Sequence, residues 1–286
     1  MVMKRKLIDV SEHNGVIDWQ KVKNAGIDGA IIRCGYGSDY ANQDDAQYRR
    51  NVAECERLNI PFGVYLYSYA QNADMARSEA AHVLRLVKGH KLSYPIYYDV
   101  EENGLESVAK SNSIVFGDII EKAGYWCGVY SMLYWWQSCL KGLERFTKWV
   151  AHWGVNECGM KCDMWQYSDK GHVSGVGLSD MNYCYRDFPK EINGDKTTTA
   201  QHTQAATAAK PKAVKYKIVA DALNVRDKAS TVKGNVVGSL KKGTTVYLTD
   251  VKKNSKGNIW GKIAKGTHKG RYIAILFHGE TYAKKS

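Results

Sequence analysis

Apolar and polar residues alternate with two different periods along the first two thirds of the chain. Short runs rich in Val, Ile and Tyr are typical of buried strands, and longer stretches with apolar residues every three or four positions are typical of amphipathic helices. The first pattern predicts strands at 6–10, 30–34, 62–69, 96–100, 125–130, 148–151, 164–167 and 182–185. The second predicts helices at 44–58, 74–87 and 111–123, and helical patterns become sparse after residue 140. Strands joined by helical crossovers predict an α/β fold, an irregular TIM-like (β/α) barrel with fewer helices than strands.

A change of composition separates this region from the C-terminal part of the chain. Residues 192–213 are rich in Thr, Ala and Gln and contain no Phe, Trp or Tyr, which is typical of a linker. Beyond them, short alternating runs separated by Lys-Gly turns predict a small all-β barrel, with strands at 216–219, 223–225, 236–240, 245–250, 259–263 and 271–277. We therefore predict one domain over residues 1–191, a linker over 192–213 and a second domain over 214–286.

The net charge of +12 is concentrated in the linker and the second predicted domain. Residues 192–286 carry 19 Lys and Arg against 5 Asp and Glu, whereas residues 1–191 carry 22 against 24. Such a field attracts polyanions such as anionic wall polymers, anionic lipids or nucleic acids. Because this part contains neither an aromatic-plus-basic RNA motif nor a DNA-reading helix, we expect no nucleic-acid partner. The excess of Tyr and Trp over Phe, 19 and 8 against 5, suits a polar ligand such as a sugar.

The cysteines and the N-terminal residues indicate in which compartment the protein is made and whether it holds a metal or cofactor. The seven cysteines all precede residue 190, and their odd number and irregular spacing argue against a disulfide framework. Cys158 and Cys162 are not followed by a second Cys or His pair at suitable spacing, so we expect neither a metal site nor a cofactor. Asp9 interrupts the N-terminal apolar stretch, and no run of 18 apolar residues follows. We therefore expect synthesis in a host cytoplasm without a signal peptide, and no membrane insertion.

The stretch PIYYDVEENG, residues 95–104, ends a predicted strand with two carboxylates. Side chains two positions apart in a strand point to the same side, so Asp99 and Glu101 are expected about 7 Å apart on one face. Carboxylates this close repel, and one of them tends to keep its proton, as an acid and an anion working together require. Such a pair alone is more often an exposed strand end. A barrel, however, gathers the ends of its strands on one active face, and other polar residues also lie at or just beyond the ends of predicted strands: Asp9, Tyr36, Tyr67 and Tyr130.

Seven short segments occur in an order that resembles glycoside hydrolase family 25, the lysozymes of the Chalaropsis type. They are residues 7–19 (LIDVSEHNGVIDW), 31–37 (IIRCGYG), 63–69 (GVYLYSY), 95–101 (PIYYDVE), 128–131 (GVYS), 149–153 (WVAHW) and 164–167 (MWQY). The resemblance covers about residues 5–188. It implies catalytic roles for Asp99 and Glu101, and supporting roles for Asp9 and for an aspartate on the last strand. Asp180 fits the family's closing pattern best, and Asp187 is the alternative.

The resemblance also implies a mechanism. Glu101 would act as general acid and base with a pKa raised by an ionised Asp99, and Asp9 and Asp180 would add negative potential. Asp99 would either attack the anomeric carbon or orient the substrate's acetamide group for that attack. Aromatic and cationic residues of the matching segments are candidates for binding sugar, and Arg33 is expected to pair with one of these carboxylates. The candidates are Tyr36, Tyr65, Tyr67, Tyr130, Trp165 and Arg33.

The C-terminal part resembles a bacterial SH3-type domain in three segments, 223–226, 236–243 and 259–263, and such modules commonly bind peptidoglycan. Together the two resemblances imply a peptidoglycan hydrolase, an N-acetylmuramidase (lysozyme) that cleaves the β-1,4 bond between N-acetylmuramic acid and N-acetylglucosamine. The interrupted N-terminal apolar stretch favours a bacteriophage endolysin that acts on the wall after release. Three alternatives stay open at this point: a bacterial autolysin or prophage remnant, a non-catalytic wall-binding protein, and a glucosaminidase or chitinase.

Overall fold

The computed structural model describes residues 4–194, 213–231, 234–254 and 257–286. The chain forms two compact units, residues 1–206 and 207–286. The predicted linker at 192–213 lies outside the described residues, apart from 192–194 and 213 at its two ends. Within the described ranges, no helix is both long and apolar enough to cross a membrane.

The first unit contains a closed barrel of eight strands, as predicted. The strands are β1 (Arg5–Val10), β2 (Gly29–Tyr36), β3 (Phe62–Tyr67), β4 (Ile96–Asp99), β5 (Cys127–Met132), β6 (Thr147–Ala151), β7 (Met164–Val173) and β8 (Gly177–Cys184). Strands β1 to β7 pair in parallel in chain order. Strand β8 runs antiparallel to both β7 and β1 and closes the barrel. Only residues 174–176 separate β7 from β8, which is too short for the crossover that a parallel neighbour needs.

Six α-helices lie in residues 4–194, fewer than the strands, as predicted. They are α1 (Trp19–Asn24), α2 (Tyr48–Leu58), α3 (Ala73–Leu86), α4 (Glu106–Lys122), α5 (Leu133–Gln137) and α6 (Phe188–Asn193). Helices α2, α3 and α4 correspond to the three predicted helices. The spacing of Tyr48, Val52 and Cys55 places these side chains on one buried face of α2.

The structure differs from the prediction in its short helices and in one hairpin. Helices α1, α5 and α6 have only five or six residues each, too few for an apolar period to show. They are held instead by buried aromatic side chains, such as Trp19 in α1, Trp135 in α5 and Phe188 in α6. Strands β7 and β8 extend further toward their shared turn than predicted. The added residues are mostly polar or glycine and show no apolar run, and pairing between the two strands orders them.

Aromatic side chains fill the inside of the barrel. Tyr97, Tyr130 and Trp149 are buried there, with ring centroids 5.0 Å apart for Tyr97 and Trp149 and 4.5 Å apart for Tyr130 and Trp149. A second apolar layer, which includes Val52 and Phe116, fills the space between the barrel wall and the helices. The interior is therefore a packed core rather than a channel. The polar groups at the strand ends lie next to the aromatic side chains that fill the barrel.

The second unit is an antiparallel sheet in the order β11-β10-β14-β13-β12-β9-β16, with β15 paired to β14. Its strands are β9 (Val214–Ile218), β10 (Ala222–Arg226), β11 (Val236–Lys241), β12 (Thr245–Lys253), β13 (Ile259–Ile263), β14 (Tyr272–Phe277), β15 (Glu280–Thr281) and β16 (Ala283–Lys285). The first six correspond to the predicted strands, and the last two are additional. Val225, Leu248 and Ile273 are fully buried in its small core.

Candidate active site

A cleft of about 840 Å³ lies at the carboxyl ends of the parallel strands. The four carboxylates singled out in the sequence all line it: Asp9 in β1, Asp99 at the end of β4, Glu101 two residues later and Asp180 in β8. Parallel strands of a barrel end at the same face, so residues far apart in the sequence meet there. Within the described residues, no group of three or more His, Cys, Asp and Glu side chains is arranged to hold a metal ion.

Asp99 and Glu101 face the same cleft, in keeping with the alternation of side chains along a strand. The Val100 N–H donates to the Tyr130 carbonyl oxygen at 3.0 Å, which continues the pairing with β5 beyond the end of β4. Asp99 is only 4% exposed, and its Oδ1 atom is buried without a hydrogen bond to any of the described residues. A buried carboxyl oxygen without a donor is costly, so this atom is suited to accept a hydrogen bond from a bound molecule.

Burial is the main cause of the protonation behaviour of this pair. It raises the pKa of Glu101 to about 7, with further contributions from the charges of Asp180 and Glu102. The pKa of Asp99 is raised well above its usual value by burial, then by the charges of Glu101 and Asp9. The pKa of Glu101 is therefore raised as expected, but the main cause is burial and not the charge of Asp99. A carboxyl group that holds its proton near neutral pH can serve as a general acid.

Asp9 and Asp180 are direct cross-strand partners where β8 closes the barrel against β1. Burial raises the pKa of Asp9 first, and the charge of Asp180 raises it further. Burial also raises the pKa of Asp180. Two side-chain amides offset this repulsion: Asn182 Nδ2 donates to Asp9 Oδ2 at 2.7 Å, and Gln166 Nε2 lies 3.1 Å from Asp9 Oδ2 and 3.4 Å from Asp180 Oδ2.

Two indole groups fix the orientation of these amides. Trp149 Nε1–H donates to Asn182 Oδ1 at 2.8 Å, and Trp153 Nε1–H donates to Gln166 Oε1 at 3.0 Å. An indole N–H can only donate, so each amide oxygen must face its indole and each NH₂ group must face Asp9. The amides are therefore fixed donors that hold the Asp9 carboxyl group at the border of the cleft.

Tyrosine side chains line a large part of the cleft. The four predicted tyrosines all line it, and Tyr69, which has the same strand parity as Tyr67, lines it as well; the predicted ones are Tyr36, Tyr65, Tyr67 and Tyr130. The rings of Tyr67 and Tyr69 lie 5.1 Å apart, and those of Tyr36 and Tyr69 lie 6.3 Å apart. Tyr67 OH donates to Glu102 Oε2 at 2.9 Å. Such rings offer both an apolar face and a hydroxyl group, the combination that a sugar requires.

Arg33 lines the cleft but forms different ion pairs from the expected one. Its Nη2 atom lies 2.7 Å from Glu12 Oε1 and its Nε atom lies 2.8 Å from Asp45 Oδ2. These partners replace the expected catalytic carboxylate, although the charge of Arg33 still lowers the pKa of Asp99. A β-bulge in β2 allows Arg33 and Tyr36, three positions apart, to line the same cleft.

Trp165 was a candidate for binding sugar, but the structure places it in the outer layer of the barrel. Its Nε1–H donates to the carbonyl oxygen of His152 at 2.8 Å, and its ring packs near that of Tyr183. The neighbouring Gln166 lines the cleft instead. Because both faces of a barrel strand are buried, the alternation of side chains along β7 does not show whether Trp165 or Gln166 points into the barrel.

Asp187, the alternative to Asp180, has a structural role. Its side chain caps the N-terminus of α6 by accepting a hydrogen bond from the Lys190 N–H. It also forms an ion pair with Arg5 at 2.8 Å. Asp180 is therefore the aspartate of this region that reaches the cleft.

Gln166, Asn182 and Trp149 are site residues that the sequence reasoning did not single out. A signal was present, because Gln166 and Asn182 are amides within runs of otherwise apolar residues, and buried amides need partners. Asn182 also has the same strand parity as Asp180. What the sequence lacks is the pairing that places Gln166 opposite Asn182 across β7 and β8.

Comparison with known proteins identifies the family. Residues 8–176, more than half of the chain, match the family model of Glycosyl hydrolases family 25. The chain belongs to this family. The C-terminal unit lies outside the matched residues.

Individual relatives match a similar share of the chain. The chain is 26% identical to the autolytic lysozyme of Clostridium acetobutylicum over 183 residues, which are 62% of this chain and 55% of that protein. It is 26% identical to lysozyme M1 of Streptomyces globisporus over 203 residues, 61% of this chain and 66% of that one. The modular autolysin LytC of Streptococcus pneumoniae, solved with a synthetic peptidoglycan ligand, shares 33% identity with a TM-score of 0.57, over 64% of this chain and 47% of LytC. The chain thus spans about half the length of two of these relatives.

Proposed function

We propose that this chain is a peptidoglycan hydrolase, an N-acetylmuramidase that cleaves the β-1,4 bond between N-acetylmuramic acid and N-acetylglucosamine. The observation that carries the proposal is the half-buried Glu101, with its pKa raised to about 7, in the same cleft as Asp99. Glycosidic cleavage requires a carboxyl group that holds its proton beside a second carboxyl group, and this cleft contains both. The names of the relatives as lysozymes, and the peptidoglycan ligand of LytC, support this substrate class.

In the proposed reaction, the protonated Glu101 donates its proton to the glycosidic oxygen as the bond breaks. Positive charge then develops at the anomeric carbon, and the carboxylates of the cleft stabilise it. Asp9 and Asp180 contribute part of this negative potential, since both line the cleft. After the leaving group departs, the Glu101 carboxylate takes a proton from the water that attacks the anomeric carbon.

For Asp99 we propose the role of orienting the substrate's acetamide group. The acetamide oxygen would attack the anomeric carbon, and the acetamide N–H would donate to the Oδ1 atom of Asp99. The unpartnered Oδ1 atom of Asp99 supplies an acceptor for that N–H. Asp99 and Glu101 also project from the same strand end, which favours this role over direct attack by Asp99 from the opposite side.

A substrate in which the acetamide is replaced by a group that cannot attack tests this role. We expect its turnover to fall at least about 100-fold, the order of magnitude of one positioned catalytic group. Turnover equal to that of the parent substrate would show that Asp99 attacks directly or acts otherwise.

For the second unit we propose an SH3-type wall-binding role. Support comes from its antiparallel strands and from the excess of Lys and Arg over Asp and Glu in residues 192–286, 19 against 5. Such a surface is attracted to anionic wall polymers and would raise the local concentration of the first unit at its substrate. We propose further that the chain is a bacteriophage endolysin that acts on the wall after release from the host cytoplasm, with hydrolysis in the first unit and wall binding in the second.

Mass spectrometry of digested peptidoglycan tests the proposed function. We expect fragments that end in reducing N-acetylmuramic acid, released by the parent protein and by the Glu106→Gln control, whose site is exposed at the start of α4. Glu101→Gln should lose at least about 100-fold in rate while still sedimenting with walls. Fragments ending in reducing N-acetylglucosamine would indicate a glucosaminidase, and wall binding without fragments from the parent would indicate a non-catalytic protein.

A further inference from the structure

We propose that Cys158 and Cys162 form a redox-active dithiol, which closes reversibly to an intrachain disulfide in the loop between β6 and β7. The two Sγ atoms lie 3.3 Å apart in the structure, and both cysteines are free. This distance is within hydrogen-bond contact for sulfur, and only a small approach separates it from a covalent bond of about 2.05 Å.

The loop holds the two sulfur atoms together through its own backbone. Gly159 follows Cys158 with a φ of +83°, a left-handed conformation that suits glycine and turns the chain back on itself. The carbonyl oxygen of Cys158 accepts a hydrogen bond from His152 Nδ1 at 2.9 Å, which fixes the start of the turn to the end of β6. Side chains that are already in contact lose little conformational entropy when they are linked.

The dithiol borders the protein surface. Cys158 and Cys162 both line a surface cavity of about 480 Å³, where Cys158 is buried with 7% of its surface exposed and Cys162 is half-buried. The other cysteines lie elsewhere in the first unit: Cys34, Cys55, Cys127 and Cys184 are buried, and Cys139 is half-buried with its Sγ directed at the carbonyl oxygen of Trp135.

The chemistry of the pair agrees with this geometry. The hydrogen bond from the Cys162 thiol lowers the pKa of Cys158, which favours a thiolate at that sulfur. A neighbouring thiol that donates a hydrogen bond is also placed to resolve a mixed disulfide formed there.

The reaction with a small disulfide such as oxidised glutathione is balanced as follows. The Cys158 thiolate attacks one glutathione sulfur, forms a mixed disulfide and releases one glutathione thiolate. The Cys162 thiolate then attacks the Cys158 sulfur, forms the intrachain disulfide and releases the second glutathione thiolate. Two cysteine sulfurs are oxidised, two glutathione sulfurs are reduced, and two protons leave the protein.

The test is incubation of the full folded chain with oxidised glutathione, followed by denaturation, alkylation of free thiols and peptide mapping. We expect the number of free thiols to fall from seven to five, with a disulfide between Cys158 and Cys162 that dithiothreitol reverses. Cys162→Ser should instead retain glutathione on Cys158, because the resolving thiol is missing. Cys139→Ser is the matched control and should lose the same two thiols as the parent.

Three results would each overturn the proposal. One is that all thiols of the parent stay free, a second is that the lost thiols map to other cysteines, and a third is that glutathione remains attached to Cys158 in the parent. The parent protein alone distinguishes these results, so the test does not depend on the folding of a variant.

Discussion

Glu101 lies in a cleft where burial and two neighbouring carboxylates raise its pKa to about 7, whereas Glu106, five positions later, is exposed at the start of α4. A glutamate behaves differently at these two positions because the half-buried Glu101 is largely desolvated, whereas solvent surrounds Glu106. The protonation of the proposed acid is therefore a property of its surroundings. The protonation of Glu101 affects both the stability of the protein and the pH profile of the proposed hydrolysis, and each can be measured.

The first prediction concerns the stability of the protein. Because the folded-state pKa of Glu101 is raised from 4.5 to about 7, the folded state keeps a proton in this range that the unfolded state has lost. The free energy of unfolding therefore falls as the pH rises from 4.5 to 7, by at most about 3 kcal/mol from this group. Glu101→Gln cannot ionise, so it should match the parent near pH 4 and exceed it by up to about 3 kcal/mol at pH 8. Urea unfolding at both pH values measures the free energy of unfolding of Glu101→Gln and of the parent, with Glu106→Gln as control. A difference between Glu101→Gln and the parent that is the same at both pH values would contradict the prediction.

The second prediction concerns the pH profile of the proposed hydrolysis. The alkaline limb of kcat/KM reports the loss of the proton from the free enzyme's acid, so we expect it near pH 7. Asp180→Asn removes the neighbouring charge that contributes most to the raised pKa of Glu101, and should move this limb to lower pH. Asp187→Asn is the control, because that aspartate caps α6 and pairs with Arg5. An alkaline limb that stays in place in Asp180→Asn would refute the assignment of Glu101.

At the scale of secondary-structure elements, a buried carboxyl group ties α3 to the strands that form the cleft. Glu79 is fully buried, and it accepts hydrogen bonds from the Ser68 hydroxyl at 2.9 Å, the Tyr69 N–H at 2.9 Å and the Tyr98 hydroxyl. Ser68 N–H in turn donates to the carbonyl oxygen of Asp99 at 2.9 Å. Helix α3 therefore helps to position the ends of β3 and β4, which carry the cleft tyrosines and Asp99.

The third prediction is that Glu79→Ala destabilises the protein by about 3 kcal/mol or more, because it leaves several buried donors without their acceptor. Urea denaturation measures the loss. Arg77→Ala, on the exposed side of the same helix, is the matched control and should change the free energy of unfolding by less than about 0.5 kcal/mol. A loss for Glu79→Ala no larger than for Arg77→Ala would show that the buried carboxyl group is not an anchor.

Elements with a clear period could be predicted from the sequence, and elements without one could not. Strand β4 and helix α2 follow directly from their apolar patterns, with differences of a few residues at the ends. Helix α5, five residues long, is held by the burial of Trp135 and Trp136, which depends on the surrounding strands. The bulge in β2 similarly appears only when β2 pairs with β3.

At the scale of the whole molecule, charge divides the chain into two parts. Residues 192–286 carry 19 Lys and Arg against 5 Asp and Glu, and residues 1–191 carry 22 against 24. The acidic side chains of the cleft thus belong to one unit, and the excess of positive charge belongs to the rest of the chain. This division supports separate roles in catalysis and in attachment to an anionic wall.

The fourth prediction is that charge reversal in the second unit weakens wall binding. Lys252→Glu with Lys253→Glu, both exposed in β12, should reduce sedimentation with walls by on the order of tenfold at low salt and by less at high salt. Lys88→Glu with Lys91→Glu changes the net charge equally but in the first unit, and should leave wall binding nearly unchanged. Equal effects of the two double variants would mean that total charge, and not the second unit, drives attachment.

The sequence by itself determined the α/β pattern, the division into two parts, and the shared side of Asp99 and Glu101, because each depends on neighbours within a few positions of the chain. Only the tertiary structure decided the remaining features of the cleft. Closure of the barrel pairs β1 with β8 and so places Asp9 opposite Asp180, and it orients Gln166 inward and Trp165 outward. It also gave Arg33 the partners Glu12 and Asp45. These contacts join distant parts of the chain, and burial, which sets the pKa of Glu101, exists only once they have formed.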